Sequence, residues 1–213
     1  MQHNIGRIIF GFAAALFSAA LPAHPHAWAD VASTIVISES GMVAAIEEEW
    51  LFDELYSITI VEGMAQDLGS TEHAVDAFAA KVIENLRPYD YFMRLTADER
   101  PVQLADAVHF KSEMRDRQLL LTFTVPLIKP VDPMRHALRL EVYDPSYYIQ
   151  MAHRKDRPPA VKGGKSHPCR ARVEQPDPGP QDIARAFALD RSETPEDNLG
   201  SLFAEKVFLE CRQ

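Results

Sequence analysis

The sequence predicts an α+β fold: mainly antiparallel β-sheet or sandwich, one main amphipathic helix at about residues 70–86, and one or two short helices. Three observations predict it. From residue 91 onward, apolar side chains recur at every second position in short runs separated by polar turns, the spacing of antiparallel strands. One stretch, Ser70 to Leu86, carries a sustained 3.6-residue stripe. No glycine-rich phosphate loop, nucleophile-elbow serine or internal repeat breaks the pattern.

The chain opens on a leader. Arg7 supplies a positive n-region, Ile8 to Leu21 an apolar h-region, and small residues follow, the three parts of a secretory signal. The run is shorter than the roughly 20 apolar residues a membrane-spanning helix needs, and nothing later approaches it. The expected organisation is a signal peptide, 1–23, and a single periplasmic domain, 24–213, with no membrane insertion after cleavage. Cleavage after Ala20 puts Ser18 and Ala20 at the small-residue positions. Cleavage after Ala23 follows the polarity change at His24, and the two sites stay open. The net charge is −9, and Arg7 is the only charged side chain in the leader, so the mature surface is acidic. Such a surface repels nucleic acid and anionic lipid, and neither is an expected partner.

His24-Pro25-His26-Ala27-Trp28-Ala29-Asp30 opens the first strand. Side chains two apart share a face, so His24, His26, Trp28 and Asp30 take one side and Pro25, Ala27, Ala29 and Val31 the other. Two imidazoles at this spacing stand roughly 6–7 Å apart at the backbone. They can converge on one Ni, Co, Zn or Cu ion; equally, they can be two solvated histidines beside a cleavage site. Val31 to Ser38 continues as β-branched strand, Glu39-Ser40-Gly41 turns, and Met42 to Asp53 returns. There Ile46, Trp50 and Phe52 share one face, with Glu47, Glu49 and Asp53 on the other. Glu54 to Met64 fits either helix or strand, and Gly63 and Gly69 bracket an expected loop.

Ser70 or Thr71 caps the main helix, and Val75, Phe78, Ala79, Val82, Ile83 and Leu86 form its stripe until Pro88 ends it. Short strands follow at Tyr91–Thr96, Pro101–Leu104, Ala107–Glu113, Gln118–Val125, His136–Tyr143 and Tyr147–His153. Residues 154–168 are basic, rich in Pro and Gly and aperiodic, so they read as an exposed loop with His153 and His167 solvated at its ends. Cys169–Glu174 reads as a strand, Gln181–Leu189 as a short helix and Phe203–Cys211 as the last strand. Cys169 and Cys211 are the only cysteines. In an exported chain an even pair reads as one disulfide, closing a loop of ~40 residues.

Three stretches taken together, His24-Pro25-His26-Ala27-Trp28, Trp50-Leu51-Phe52-Asp53-Glu54-Leu55-Tyr56-Ser57 and Leu140-Glu141-Val142-Tyr143-Asp144-Pro145-Ser146-Tyr147-Tyr148, resemble an exported bacterial family, with Cys169 and Cys211 closing the pattern. That family is called domain of unknown function 1007. The resemblance implies a periplasmic component of an uncharacterised ABC-type transport system, associated with nickel/cobalt membrane permeases. The family carries no established catalytic residues.

The candidate metal ligands are His24, His26, Asp53 and Asp144. Asp53 fits a ligand at a sheet edge or an acid at a helix start. Asp144 fits a ligand or the first position of a type I turn, with Pro145 second. Tyr56, Tyr143, Tyr147 and Tyr148 read as core or rim, and Trp28 and Trp50 as packing that walls the site. The expected function is a metal-binding accessory of a nickel/cobalt-type transport system, partnered by an inner-membrane permease and carrying a divalent transition ion. Two alternatives stand beside it. A cut after Ala23 frees the amine and imidazole of His24 to chelate copper as a histidine brace in an enzyme or carrier. The third reading is a metal-free envelope interaction domain.

Overall fold

The structure is a computed structural model and describes residues 25–163, 168–188 and 198–212. The leader with its two candidate cleavage sites, His24 and His167 lie outside them. No helix among the described residues is long and apolar enough to cross a membrane.

The first sheet is built on β1 (Ala27–Ile37) and β2 (Val43–Phe52), an antiparallel pair in which Val31 faces Trp50 and Ser33 faces Glu48. From Ala27 the predicted alternation holds: Ala27, Ala29 and Val31 are buried while Trp28 and Asp30 are exposed. Chain direction then changes through α1 (Glu54–Leu68), which resolves the ambiguity over residues 54–64 as helix. Asp53 is the reason, since its carboxylate accepts the Tyr56 backbone N–H and caps the first turn. Gly63 lies inside this helix and only Gly69 ends it, at φ 83°, a left-handed cap that favours glycine.

The main helix, α2 (Thr71–Leu86), has the predicted bounds, with Ser70 as N-cap. Its buried stripe of Ala74, Phe78, Ala79 and Ile83 packs on the inner face of the first sheet, where Phe78 meets the Phe52 ring edge-on at 5.8 Å. A 3-10 segment, Arg87–Phe92, leads to β3 (Met93–Ala97), β4 (Arg100–Pro101), β5 (Val108–Arg115), β6 (Gln118–Val131) and β7 (Leu138–Val142). After these come β8 (Ile149–His153), β9 (Ala160–Gly163), β10 (Cys169–Glu174), α3 (Pro180–Ala188), a 3-10 turn at Leu199–Phe203, and β11 (Lys206–Cys211).

The strands form two sheets, β5-β6-β2-β1-β8 and β10-β11-β7-β3-β4. One continuous apolar core joins their inner faces, from Ile35, Ile46 and Phe123 on the first sheet to Leu95, Leu140 and Val207 on the second. The α+β architecture is therefore as the sequence predicts. Several details differ: Tyr91 and Phe92 belong to the 3-10 segment, and the strand expected at Pro101–Leu104 is only Arg100–Pro101. Both β8 and β9 pair with β1 in parallel, so the first sheet is mixed along that edge. The region read as an exposed loop, 154–168, contains β9, whose Ala160–Gly163 lie against Thr34–Ile37. Its side chains are mostly exposed, and edge pairing through the backbone leaves no hydrophobic period to read. Salt bridges from Arg157 to Glu49 and Lys162 to Glu47 lay this basic segment on the acidic outer face of β2.

Candidate functional site

The three stretches that carry the sequence resemblance meet at one end of the first sheet, and main-chain hydrogen bonds hold them there. Trp28 N–H donates to Asp53 Oδ2 at 2.9 Å, and Asp53 N–H donates back to the Trp28 carbonyl at 2.9 Å. His26 N–H donates to the Tyr148 carbonyl at 2.8 Å. The imidazole of His26 lies against the Tyr148 ring, with centroids 4.8 Å apart.

Beside them opens a cleft of about 490 Å³, lined among the described residues by the second and third stretches and not by the first. Trp50, Phe52, Tyr56 and Phe92 supply rings; Val82, Asn85 and Leu86 come from α2; Asp144, Pro145, Ser146, Tyr148 and Ile149 form the opposite wall, with Tyr89 at the rim. Trp50 and Phe92 stack nearly parallel, 13° apart at 6.3 Å. Burial pushes the Tyr56 phenol up to about 12, helped by the charges of Tyr148, Asp53 and Asp144. That phenol therefore stays protonated at neutral pH.

Four non-glycine residues beside the cleft adopt left-handed backbone conformations: Asp90, Tyr91 and Phe92 (φ 50°, 55° and 56°) and Tyr147 (φ 58°). Such conformations persist only where the surroundings over-determine them. Here Tyr91 accepts the Ala107 N–H at 3.0 Å, and Tyr147 stacks on Phe203 at 4.2 Å.

The sequence-predicted ligands separate on inspection. His26 stands against Tyr148, half-buried, just ahead of β1, while His24 lies outside the described residues. Both oxygens of Asp53 are engaged, by Tyr56 N–H and Trp28 N–H. Asp144 is 5% exposed; its Oδ1 accepts the Ser146 N–H and hydroxyl, and its Oδ2 accepts the Ile149 N–H. These bonds make Asp53 a helix cap and Asp144 a turn anchor. Among the described residues no group of three or more His, Cys, Asp or Glu stands ready to hold a metal ion. Trp50 walls the cleft as expected, whereas Trp28 is half exposed on the opposite face of β1.

The turn at Asp144 depends on a glycine distant in sequence. Gly200 N–H donates to the Pro145 carbonyl at 3.2 Å, and a Cβ at Gly200 would stand 1.9 Å from the Asp144 carbonyl oxygen. Gly200→Ala is expected to displace the 144–148 wall and to cost about 1–3 kcal/mol, the usual range for overpacking. Urea denaturation measures it. A loss under roughly 0.5 kcal/mol would mean the contact relaxes freely.

A second polar group, missed in the sequence, runs between the sheets. Ser33 Oγ and His153 Nε2 are 3.1 Å apart; His153 Nδ1 lies 2.7 Å from Glu205 Oε2, and Gln175 donates to Glu205 Oε1 at 2.7 Å. His153 is thus no solvated loop residue: its side chain is 5% exposed. Its partners lie 120 and 52 residues away, beyond the reach of any local motif. The order Ser–His–Glu imitates a catalytic triad, but Ser33 is 1% exposed in mid-strand and no substrate reaches its hydroxyl. The group acts as a polar seam. Beside it Glu48, 1% exposed, accepts the Trp50 indole N–H on Oε2 at 3.1 Å, while its Oε1 has no hydrogen-bond partner among the described residues. Burial lifts the Glu48 carboxyl to about 8, against the smaller favourable influences of the Ser33 hydroxyl, which comes near without a well-formed bond, and the Trp50 indole.

Cys169 and Cys211 form the predicted disulfide, directly across the β10–β11 pair. A Haemophilus influenzae protein described only as "Uncharacterized protein" is 27% identical over 192 residues, covering 89% of this chain and 91% of the relative. The convergence of the three stretches and the disulfide agree with the wider match, which spans residues 9–211, and the chain belongs to the family described as "Protein of unknown function (DUF1007)".

Proposed function

We propose that the protein is a periplasmic binding module and not a catalyst, an accessory of a transition-metal transport system working beside an inner-membrane permease or ABC-type transporter. One observation supports the binding reading: two separated stretches, around Trp50 and around Asp144, line one cleft, and the segment that follows His24 is tied to its wall through the bond from the His26 N–H to the Tyr148 carbonyl. The cargo is a divalent Ni, Co, Zn or Cu ion, with the imidazoles of His24 and His26 as donors. Asp53 and Asp144 are committed to backbone N–H groups, so the remaining coordination positions fall to water or to the transporter. A site with two protein donors, short of the usual four or more, suits a carrier that must release its ion.

Mature protein is expected to bind one such ion by calorimetric titration, with affinity falling as pH drops through about 6.5, where free imidazole protonates. The double variant His24→Ala, His26→Ala is expected to lose binding and keep its fold. Unchanged affinity in that variant overturns the assignment. The commitment of Asp53 and Asp144 favours a second reading, a metal-free envelope interaction domain; absence of metal uptake by the wild-type protein decides for it.

A further inference from the structure

The cleft has a charge character that is independent of the histidine pair. Among the described residues its lining includes the acidic residue Asp144, whose buried carboxylate is held in the wall, and no lysine or arginine. Aromatic rings supply six of the lining residues, and a ring face carries the negative end of a quadrupole that attracts cations. The Tyr56 phenol reports the same field from within, since the neighbouring charges of Asp53 and Asp144 add to burial in opposing its ionisation. Tyr89 and Tyr148 are 61% and 43% exposed at the rim, so a ligand entering the cleft passes two accessible rings. The volume, about 490 Å³, lies in the range of small-molecule sites.

The hydrogen bonding narrows the class of cation. Asp144 already accepts three donors from its own turn. It offers charge at short range with little remaining capacity to accept bonds. A compact, strongly hydrated ion or a primary ammonium would give up its water shell here for too few acceptors. A substituted ammonium, whose charge is spread over methyl or methylene groups, needs no such acceptors and gains from both the rings and the apolar floor of Trp50 and Phe52.

We propose that the cleft is a binding site for a small organic cation, a tertiary or quaternary ammonium on a short apolar body, seated among Trp50, Phe92, Tyr89 and Tyr148 with Asp144 behind it. The proposal stands apart from metal carriage and is tested without metal.

The probe is choline, with 3,3-dimethylbutanol as its uncharged isostere, titrated into mature protein by calorimetry in chelator-treated buffer. Choline is expected to bind at least tenfold more tightly than the isostere. Tyr148→Leu and Tyr89→Leu keep apolar surface but remove the ring. Each is expected to weaken choline about fivefold or more and to leave the isostere within twofold, with the unfolding midpoint showing that the fold persists. Equal affinity for choline and the isostere would mean a plain apolar cleft and overturn the proposal. No choline binding at 10-fold above millimolar concentration overturns it too, as does full retention of choline affinity in both leucine variants. Metal is absent from every titration and Tyr89→Leu leaves the His26–Tyr148 contact in place, so failure here is separable from failure of the metal reading.

Discussion

Glu48→Gln is expected to change stability little at pH 5 and to raise it by about 4–5 kcal/mol at pH 9, relative to the parent protein. Burial holds the carboxyl at about 8 in the folded protein, against an ordinary value of 4.5. An acid whose folded pKa is raised favours folding least when ionised. Below the unfolded value the group is neutral in both states, and stability is complete. As pH rises from 4.5 to about 8, the unfolded chain releases the proton while the folded one retains it. Each unit of pH then removes about 1.4 kcal/mol. Above 8 the loss is fully developed and the curve flattens. Glutamine mimics the neutral acid, and its carbonyl oxygen can still accept the Trp50 indole N–H, so the variant omits this slope. Urea denaturation of both proteins at pH 5, 7 and 9 measures the difference. A gap that does not vary with pH would mean that Glu48 is not a neutral acid in the core.

The seam holds a second acid with the opposite sign. Burial works to raise the Glu205 carboxyl, but hydrogen bonds from the His153 ring and backbone N–H and from the Gln175 amide outweigh it and keep the group low. A lowered acid contributes stability above its unfolded value and loses it as pH falls through the folded one. Glu205 therefore weakens the fold only at the acid end, below the window in which Glu48 acts. Comparing the parent with Glu48→Gln cancels the Glu205 contribution, which both proteins share. Both acids tie this inter-sheet seam to pH, in a core otherwise built mainly of apolar side chains.

Local periodicity carried most of the architecture. The α2 stripe is visible because every buried residue on it answers to one face, and its cap and terminator are single residues, Ser70 and Pro88. β10 was equally legible, at Cys169–Glu174, because alternation and the cysteine define it together. Glu48 carried a signal that went unused: parity with Ile46, Trp50 and Phe52 puts its side chain on the inner face. What periodicity cannot encode is pairing between distant backbones. β9 owes its existence to the edge of β1, and His153 owes its burial to Ser33 and Glu205. The cleft is likewise a product of assembly, because its walls come from β2, the end of α2 and the 144–149 segment. Sequence order names the residues Trp50, Asp53 and Asp144 but not the division of labour among them. Trp50 faces the cleft, while Asp53 and Asp144 hold the backbone around it.

Removing the disulfide is expected to cost about 4 kcal/mol, nearly as much as charging Glu48. Cys169 and Cys211 are 42 residues apart, and closing a loop of that size restricts the unfolded chain by roughly this amount in the chain-entropy account. Little else compensates locally. β10 is an edge strand whose side chains alternate between exposed and half-buried, so its apolar anchorage is slight. Its ion pairs, Arg170 and Arg172 with Glu210, are solvent-exposed and contribute on the order of 0–1 kcal/mol each. The stacking of Arg172 on Phe208 at 4.5 Å adds a comparable amount. The double variant Cys169→Ser, Cys211→Ser should accordingly show a lower urea midpoint. Amide exchange should rise first in Cys169–Glu174 and its partner β11, and only later in β7, the central strand of that sheet. The order matters. Faster exchange confined to β10 with an unchanged midpoint would mean that the bond pins an edge without restricting the unfolded chain. A midpoint shift with uniform exchange would mean that β10 unfolds together with the core. The geometry favours the first-frayed edge together with the lowered midpoint, because β10 is an edge strand that pairs with β11 alone and packs only Cys169 and Ala171 on the core.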